Sequence, residues 1–354
     1  MTPTPAQIPG IDIAQLFKAA SPGRDEVDAA IMGAATGSGL LTITGFPEEV
    51  RCDAVFRRRL LALFEAPRSL LERLACNRHD ASRPPVLHGW FDVNEGRAYY
   101  YDGIELGPDV AYGTSVVDLK NPLTGATPLP AESELPGWRA AVRYYYLGME
   151  RVADALMRAI ARGLGIPEEH FSSLFVGGAS ALRLMRYPVR APSSRAAVPE
   201  EEGLYVVHNG KMREVISEAH VDFGFTTLLA QDNVDGLQAK MPDGAWVDVP
   251  PVDGDLVVNF GKLLQRLTAG RIRATEHRVL SPGRERFSLP FFYAPRLDAE
   301  IKPLPLVGAE QFTPFAYGDH TWASLPKFRR LFGQAASARQ PRHFTGADKD
   351  RPLS

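Results

Sequence analysis

The sequence predicts a mainly β protein with flanking α-helices: a double-stranded β-helix (jelly-roll) core preceded by a helical region. Two features carry this expectation. Apolar residues recur at spacings of three and four through the first half, and from Ala181 they fall into short runs instead. Those runs are separated by Gly, Pro, Asn and Asp, the residues that turn a chain back on itself. Many short strands in close succession favour a closed or double-layered antiparallel barrel. The expected organisation is a mostly helical region over residues 1–180, a jelly-roll core over 181–300, and a C-terminal helical segment and tail over 301–354.

The first helical signal runs from Val55 to Cys76, where Leu60, Phe64, Leu71 and Leu74 alternate with arginines and Pro67 should kink or divide the helix. A longer one spans Trp138 to Arg162. There Trp138, Val142, Tyr145, Met149, Val152, Leu156 and Ile160 share one face, which must be buried. Gly163, Gly165 and Pro167 stop it, because glycine accepts a left-handed cap and proline cannot continue the hydrogen-bond ladder. The strands follow as ALRLMRYP, LYVVH, MREVIS, TTLLAQ, GLQAK, AWVDVP, DLVVNF, HRVL and RFSLPFFY. Asn209-Gly210 predicts a two-residue hairpin, and Pro242-Asp243-Gly244 a turn before Trp246. The proline-containing segment from Val189 to Gly203 reads as a mobile loop at the barrel mouth.

With 354 residues, 45% hydrophobic and 23% charged, the chain can bury a sizeable core and is neither a disordered nor a fibrous sequence. Its 40 basic and 42 acidic side chains leave a formal charge of −2, which offers no pull toward a phosphate backbone. A small-molecule partner is expected and nucleic acid is not. Cys52 and Cys76 are too few for a disulfide scaffold and form no Cys-x-x-Cys pair, which fits a reducing compartment. The N-terminal residues lack the pattern of a secretion signal, and no uncharged apolar run is long enough to cross a bilayer. A cytoplasmic protein with no membrane partner is the expectation.

Of the eight histidines, His220 alone has a carboxylate two positions later, Asp222. In a strand these two side chains project to one face and reach one point. Taken alone, such a pair is more often a surface hydrogen bond than a ligand set. His277, opening the strand HRVL, changes the balance, since an adjacent barrel strand returns to the same spot. Two imidazoles and one carboxylate occupy one face of an octahedral metal, which suits Fe(II) and leaves positions open for substrates. Arg286 and Ser288 follow at the same-face interval in RFSLPFFY. An inward guanidinium needs an anionic partner, and its planar fork matches a carboxylate. An isolated strand arginine usually pairs with a structural Asp or Glu; beside this triad, a dicarboxylate co-substrate is the better partner.

With these motifs in order, the chain resembles the isopenicillin N synthase-like branch of the non-haem Fe(II) and 2-oxoglutarate-dependent dioxygenases. IPGIDIAQLF and GSGLLTITGF resemble that family's opening strands, SEAHVDFGFTTLLAQDNVDGLQ the segment with its first two iron ligands, and VVNFGKLLQRLTAGRIRATEHRV the segment leading to the third. RFSLPFF matches its Arg-x-Ser signature, and YGDHTWASLPKF its C-terminal helical segment. The resemblance implies that His220, Asp222 and His277 carry Fe(II) and act in catalysis, while Arg286 and Ser288 hold the distal carboxylate of 2-oxoglutarate. It also implies a hydroxylase-type dioxygenase that consumes O2 and releases succinate and CO2 while oxidising a C–H bond. LRLMRYP stands where relatives often show Asn-Tyr-Tyr-Pro. Tyr187 is kept for the co-substrate site, Met185 and Arg186 replace the polar pair, and Arg183 on the same face is read as an anchor for the co-substrate or for an acidic substrate.

Two other enzyme readings remain open: an oxidase that needs no 2-oxoglutarate, as isopenicillin N synthase is, and an ethylene-forming fragmentation of 2-oxoglutarate. A non-catalytic, metal-binding sensory or structural barrel is the non-enzyme alternative. His208, at a hairpin end, reads as solvated, and His320 as a structural hydrogen-bonding residue. Tyr99, Tyr100 and Tyr101 suggest an apolar wall near the barrel mouth, with further pocket residues expected from the N-terminal helices, the Val189–Gly203 loop and the C-terminal segment.

Overall fold

The computed structural model describes residues 8–78, 80, 82, 85–94, 97–113, 121–200 and 203–325. Part of the expected loop (201–202) and the tail from 326 to 354 lie outside the described residues. Two sheets face each other. The larger has eight strands: β1 (Gly10–Asp12), β2 (Leu40–Thr44), β3 (Gly89–Phe91), β4 (Asp102–Leu106), β5 (Ala181–Tyr187), β8 (Thr226–Gln231), β11 (Leu256–Phe260) and β13 (Arg286–Tyr293). They are ordered β1-β2-β11-β8-β13-β5-β4-β3. The smaller sheet has five, β6 (Tyr205–His208), β7 (Lys211–His220), β9 (Leu237–Lys240), β10 (Trp246–Asp248) and β12 (His277–Leu280), ordered β10-β9-β12-β7-β6. Pairing is antiparallel throughout both sheets except between β1 and β2, which run parallel. This curled, two-layered arrangement is a double-stranded β-helix.

Four strands of the large sheet come from the first 180 residues. β1 and β2 fall in the two segments whose resemblance pointed to strands; β3 and β4 were not foreseen. The helices of this region cover the outer face of the large sheet. α1 (Pro22–Thr36) starts with Ser21 accepting the Arg24 N–H, and α2 (Ala54–Leu61) with Asp53 accepting from Val55 and Phe56. The expected Val55–Cys76 helix is divided: α2 stops at Leu61, a 3-10 turn covers Ala62–Glu65, and after Pro67 a short α3 (Arg68–Arg73) restarts. α4 (Asp109–Tyr112) precedes the long α5 (Trp138–Gly163), whose predicted stripe is buried from end to end. Each large apolar side chain on that stripe contributes about 1.5–3 kcal/mol of transfer free energy. The Trp138 indole N–H donates to the Leu60 carbonyl at 2.8 Å, tying α5 to the end of α2. α6 (Glu169–Phe175) packs behind it and leads into β5.

Between the sheets lies a second, smaller core of Leu40, Met185, Tyr187, Ile216, Leu237, Ala239, Val257 and Val279. The β6–β7 hairpin turns at Asn209 (φ 50°) and Gly210 (φ 71°), the left-handed pair that the Asn-Gly sequence predicts. The segment after β5 is anchored rather than loose at its start. Buried Arg190 donates to Glu214 on β7 at 2.7 Å and to the carbonyls of Arg97 and Ala98, and a short α7 (Pro192–Ala196) follows. α8 (Lys262–Leu267) and α9 (Tyr317–Ala323) complete the described helices. Among the described residues no helix is long and apolar enough to cross a membrane.

Candidate metal centre and flanking cavities

β7 ends on His220 and β12 begins on His277, and the antiparallel register places the two residues directly opposite. Their rings lie 4.3 Å apart between centroids. Nδ1 of His220 is 2.8 Å from the Glu218 carbonyl, and Nδ1 of His277 is 3.1 Å from the Thr275 carbonyl. A carbonyl only accepts, so each ring keeps its proton on Nδ1 and turns the Nε2 lone pair to the centre. Oδ1 of Asp222 stands 3.8 Å from one Nε2 and 3.9 Å from the other. Its Oδ2 accepts from the Thr227 hydroxyl at 2.6 Å and from the Asn259 amide at 2.8 Å, which leaves Oδ1 free.

Strand alternation is not what aims Asp222, because β7 stops at His220 and Asp222 belongs to the turn toward β8. That turn is pinned by α8: Lys262 N–H donates to the Asp222 carbonyl and Gly261 N–H to that of Phe225, both at 2.8 Å. A Cβ on residue 261 would fall 2.3 Å from the Gly224 carbonyl oxygen, so only glycine lets the two segments meet. Burial pushes the Asp222 carboxyl up, but His277 and His220, together with the bonds from Thr227 and Asn259, more than reverse this and hold it below its ordinary value. Burial pushes the His220 imidazole down, and His277 beside it adds to the effect. Both directions favour the deprotonated donors that a cation requires. Among the described residues, His220, Asp222 and His277 form the group whose three ligand atoms fall within 4.8 Å of one another.

Two cavities meet at this triad. The smaller, about 90 Å³, runs between the sheets to Arg286 and Ser288 on β13, past Tyr187 and Met185 of β5. Arg286 is completely buried; its Nη2 donates to Gln231 at 3.0 Å, while Nε and Nη1 have no hydrogen-bond partner among the described residues. Its guanidinium lies 5.0 Å over the Tyr187 ring, and the Ser288 hydroxyl is 3.4 Å from that of Tyr187. A buried guanidinium with idle donors is costly unless an anion satisfies them. The donor set and these idle N–H groups therefore suit a ferrous ion at the triad and a carboxylate at the inner end.

The larger cavity, about 650 Å³, opens on the other side of the triad. Its walls come from segment 78–105, the turn after β7, the end of β13 and α9; no described residue of 189–203 lines it. Arg190 instead ties the start of that segment to Glu214 on β7 and to the carbonyls of Arg97 and Ala98, and 201–202 lie outside the described residues. The N-terminal helices are likewise absent from the wall, which they reach only through the strands and loops that follow them. Tyr99 and Tyr101 do line the cavity, whereas Tyr100 packs 4.1 Å beneath the Arg190 guanidinium. Arg183 borders both cavities and donates from Nε to Glu105 at 2.5 Å.

His208, expected in solvent, is instead 9% exposed at its side chain and lies 3.2 Å from Asp248, close enough for a hydrogen bond across the sheet. His320 approaches the Phe223 carbonyl at 3.4 Å. Sequence reasoning missed Thr227, Asn259 and Gln231, which orient Asp222 and Arg286, and it missed Glu105 in the large cavity. Their common signal is a polar residue inside an apolar strand run, as in LVVNF, TTLLAQ and DGIEL.

Residues 204–295 match the 2OG-Fe(II) oxygenase superfamily. The chain is 30% identical to the proline hydroxylase buaE of Petromyces alliaceus, over 80% of its own length and 86% of that protein. It is 28% identical to the isopenicillin N synthase of Streptomyces clavuligerus, over 89% of its length and 93% of that enzyme. Among solved structures, a full-length Neurospora crassa protein in complex with alpha-KG superposes with a TM-score of 0.72 at 23% identity, covering 92% of this chain and 95% of that one. The double-stranded β-helix and the His-Asp-His site thus define a non-haem iron, 2-oxoglutarate-dependent oxidoreductase. The chain belongs to the 2OG-Fe(II) oxygenase superfamily.

Proposed function

We propose that the chain hydroxylates a C–H bond of a small molecule held in the large cavity, with residues 181–300 as the catalytic core and the flanking regions covering it. His220, Asp222 and His277 hold Fe(II) through Nε2, Oδ1 and Nε2. Arg286 and Ser288, with Tyr187 beneath the guanidinium, hold the distal carboxylate of 2-oxoglutarate. The observation that carries this reading is the fully buried Arg286, with two donor nitrogens that have no partner among the described residues, at the inner end of the cavity that begins at the triad.

Bound iron and 2-oxoglutarate supply an oxygen-activating centre: one oxygen atom goes to succinate as CO2 leaves, the other to the substrate as a hydroxyl. The chain supplies orientation. The carbonyls of Glu218 and Thr275 fix the tautomers of the two histidines, and Thr227 with Asn259 keeps one Asp222 oxygen turned inward. Apolar walls at Met185, Leu229 and Val257 keep water from the co-substrate. Cys52 and Cys76 are both free, which supports a reducing, cytoplasmic setting.

The test is succinate formation from 2-oxoglutarate under O2 with Fe(II), measured against a panel of small molecules. Substrate-stimulated succinate in equal molar amount to hydroxylated product is expected. Product formed equally well without 2-oxoglutarate overturns this reading in favour of the oxidase; ethylene without any substrate favours fragmentation.

A further inference from the structure

We propose that one wall of the large cavity is an anion-binding subsite, built from Arg183 and Arg78 around Glu105 with His88 beside them. The substrate is accordingly a small apolar molecule carrying one carboxylate or equivalent monoanionic group. The proposal rests on the preceding reading, in which this cavity holds the molecule to be oxidised.

Glu105, on β4, is enclosed and accepts from Arg183 Nε at 2.5 Å and Arg78 Nη2 at 2.9 Å. Burial pushes its carboxyl up, and Arg183, Arg78 and then His88 more than reverse this, holding it well below the usual carboxylate range. One carboxylate thus faces two guanidinium groups; the other carboxylates lining this cavity are Asp222, which is turned to the triad, Thr227 and Asn259, and the exposed Glu218. Arg78 uses its Nε on the Leu87 carbonyl at 2.7 Å. Among the described residues Arg183 uses only Nε; its side chain keeps 32% of its surface and lines both cavities. Its two terminal nitrogens therefore offer the planar edge that a carboxylate binds in bidentate fashion.

His88 lies between Glu105 and Gly107, with Nδ1 turned to that carboxylate. It is 5% exposed and lines the cavity, yet neither ring nitrogen has a hydrogen-bond partner among the described residues; Nδ1 is 3.4 Å from Glu105 without alignment. The ring is held there by close packing on Gly107, where a Cβ would come within 2.7 Å of it.

Two further observations separate this subsite from the co-substrate's. Arg78, His88 and Glu105 line the large cavity alone, whereas Arg286 and Ser288 line the small one alone. A divalent cation and a dicarboxylate bring charges that cancel, so filling the small cavity leaves the surplus at Arg183 and Arg78 unchanged. Glu218 also borders the large cavity, but it is exposed, where water and salt screen it. Much of the remaining wall is aromatic or aliphatic, including Tyr99, Tyr101, Phe225, Phe292, Tyr293 and Leu297, and fits an apolar body.

The test uses the full chain loaded anaerobically with Fe(II) and 2-oxoglutarate, whose uptake is measured first in the same samples by calorimetry. Matched acid and amide probes, phenylacetate with phenylacetamide and cyclohexanecarboxylate with cyclohexanecarboxamide, are then titrated in. Each acid is expected to bind about tenfold or more tightly than its amide. Arg183→Gln should abolish that preference, Arg78→Gln should narrow it, and Glu105→Gln should widen it by removing the competing anion, with 2-oxoglutarate uptake by Arg78→Gln unchanged. Acids that bind no better than amides, or a preference that survives both arginine substitutions, overturn the subsite while leaving the iron and 2-oxoglutarate reading intact. So does a panel in which neither acid nor amide binds. Failure of the wild-type chain to take up 2-oxoglutarate would instead remove the reading beneath it.

Discussion

The two cavities that meet at the triad are built in opposite ways. The small one is made by strands in register: Arg286 lies opposite Tyr187, Ser288 opposite both Met185 and Gln231, and His277 opposite His220. Each side chain's direction follows from pleat alternation, so the site is fixed by the sheets themselves. The large one is walled mostly by loops and strand ends that are far apart in sequence, with one charged cluster where β4 and β5 pair. Rigid register suits a co-substrate site, whereas a wall of loops can change its occupant without disturbing the iron centre.

That contrast orders the expected effects of substitution. Asp222→Ala removes a ligand together with the group that Thr227 and Asn259 orient, and iron-dependent turnover should fall more than about 100-fold, beyond the usual cost of losing an outer partner alone. Succinate release measures it, and substantial turnover would show that the triad is not the metal centre. Arg286→Ala comes next. Losing a buried charge partner of the co-substrate costs about 2 kcal/mol or more, so the KM for 2-oxoglutarate should rise about 30-fold while affinity for the primary substrate changes little. An equal loss in both would erase the division between the cavities. Asn259→Ala leaves one oxygen of Asp222 without its amide donor and should weaken Fe(II) binding about tenfold, read by metal titration.

A fourth substitution probes a region that lines neither cavity. Glu150, buried on α5, accepts a hydrogen bond from Tyr112, and burial pushes its carboxyl up from 4.5 to about 8. A raised folded-state value means the native chain holds the proton more tightly than the unfolded one. Its contribution to stability is therefore complete below about pH 4.5 and is lost as pH rises through about 8. Glu150→Gln, which cannot ionise, should gain on the wild type across that window by on the order of a few kcal/mol, seen as converging and then crossing melting temperatures. Parallel pH profiles would mean that Glu150 stays charged.

The small cavity could be read in the sequence because its ingredients are short-range: alternation in RFS, the closely spaced ligands of HVD, and a strand-opening histidine in HRVL. The strand runs and the long α5 were legible for the same reason, since period and turn residues act locally. The large cavity was not. Glu105 sits on β4, a strand buried on both faces whose run carries no alternation, and its partners Arg78, His88 and Arg183 reach it only through the β4–β5 pairing and the loop before β3. Arg183 was visible as a same-face arginine, but nothing near it in sequence names Glu105. In the segment 189–203 composition reads as a loop, and what it did not show is that one buried arginine, Arg190, anchors its start to β7.

The most direct measurement is visible absorption of the anaerobic chain as Fe(II) and 2-oxoglutarate are added, singly and together. A band that requires both additions is expected in the wild type. It should vanish in Asp222→Ala, and in Arg286→Ala it should return only at much higher 2-oxoglutarate. No band in the wild type, or an undiminished one in Asp222→Ala, would contradict the placement of iron and co-substrate between these two sheets.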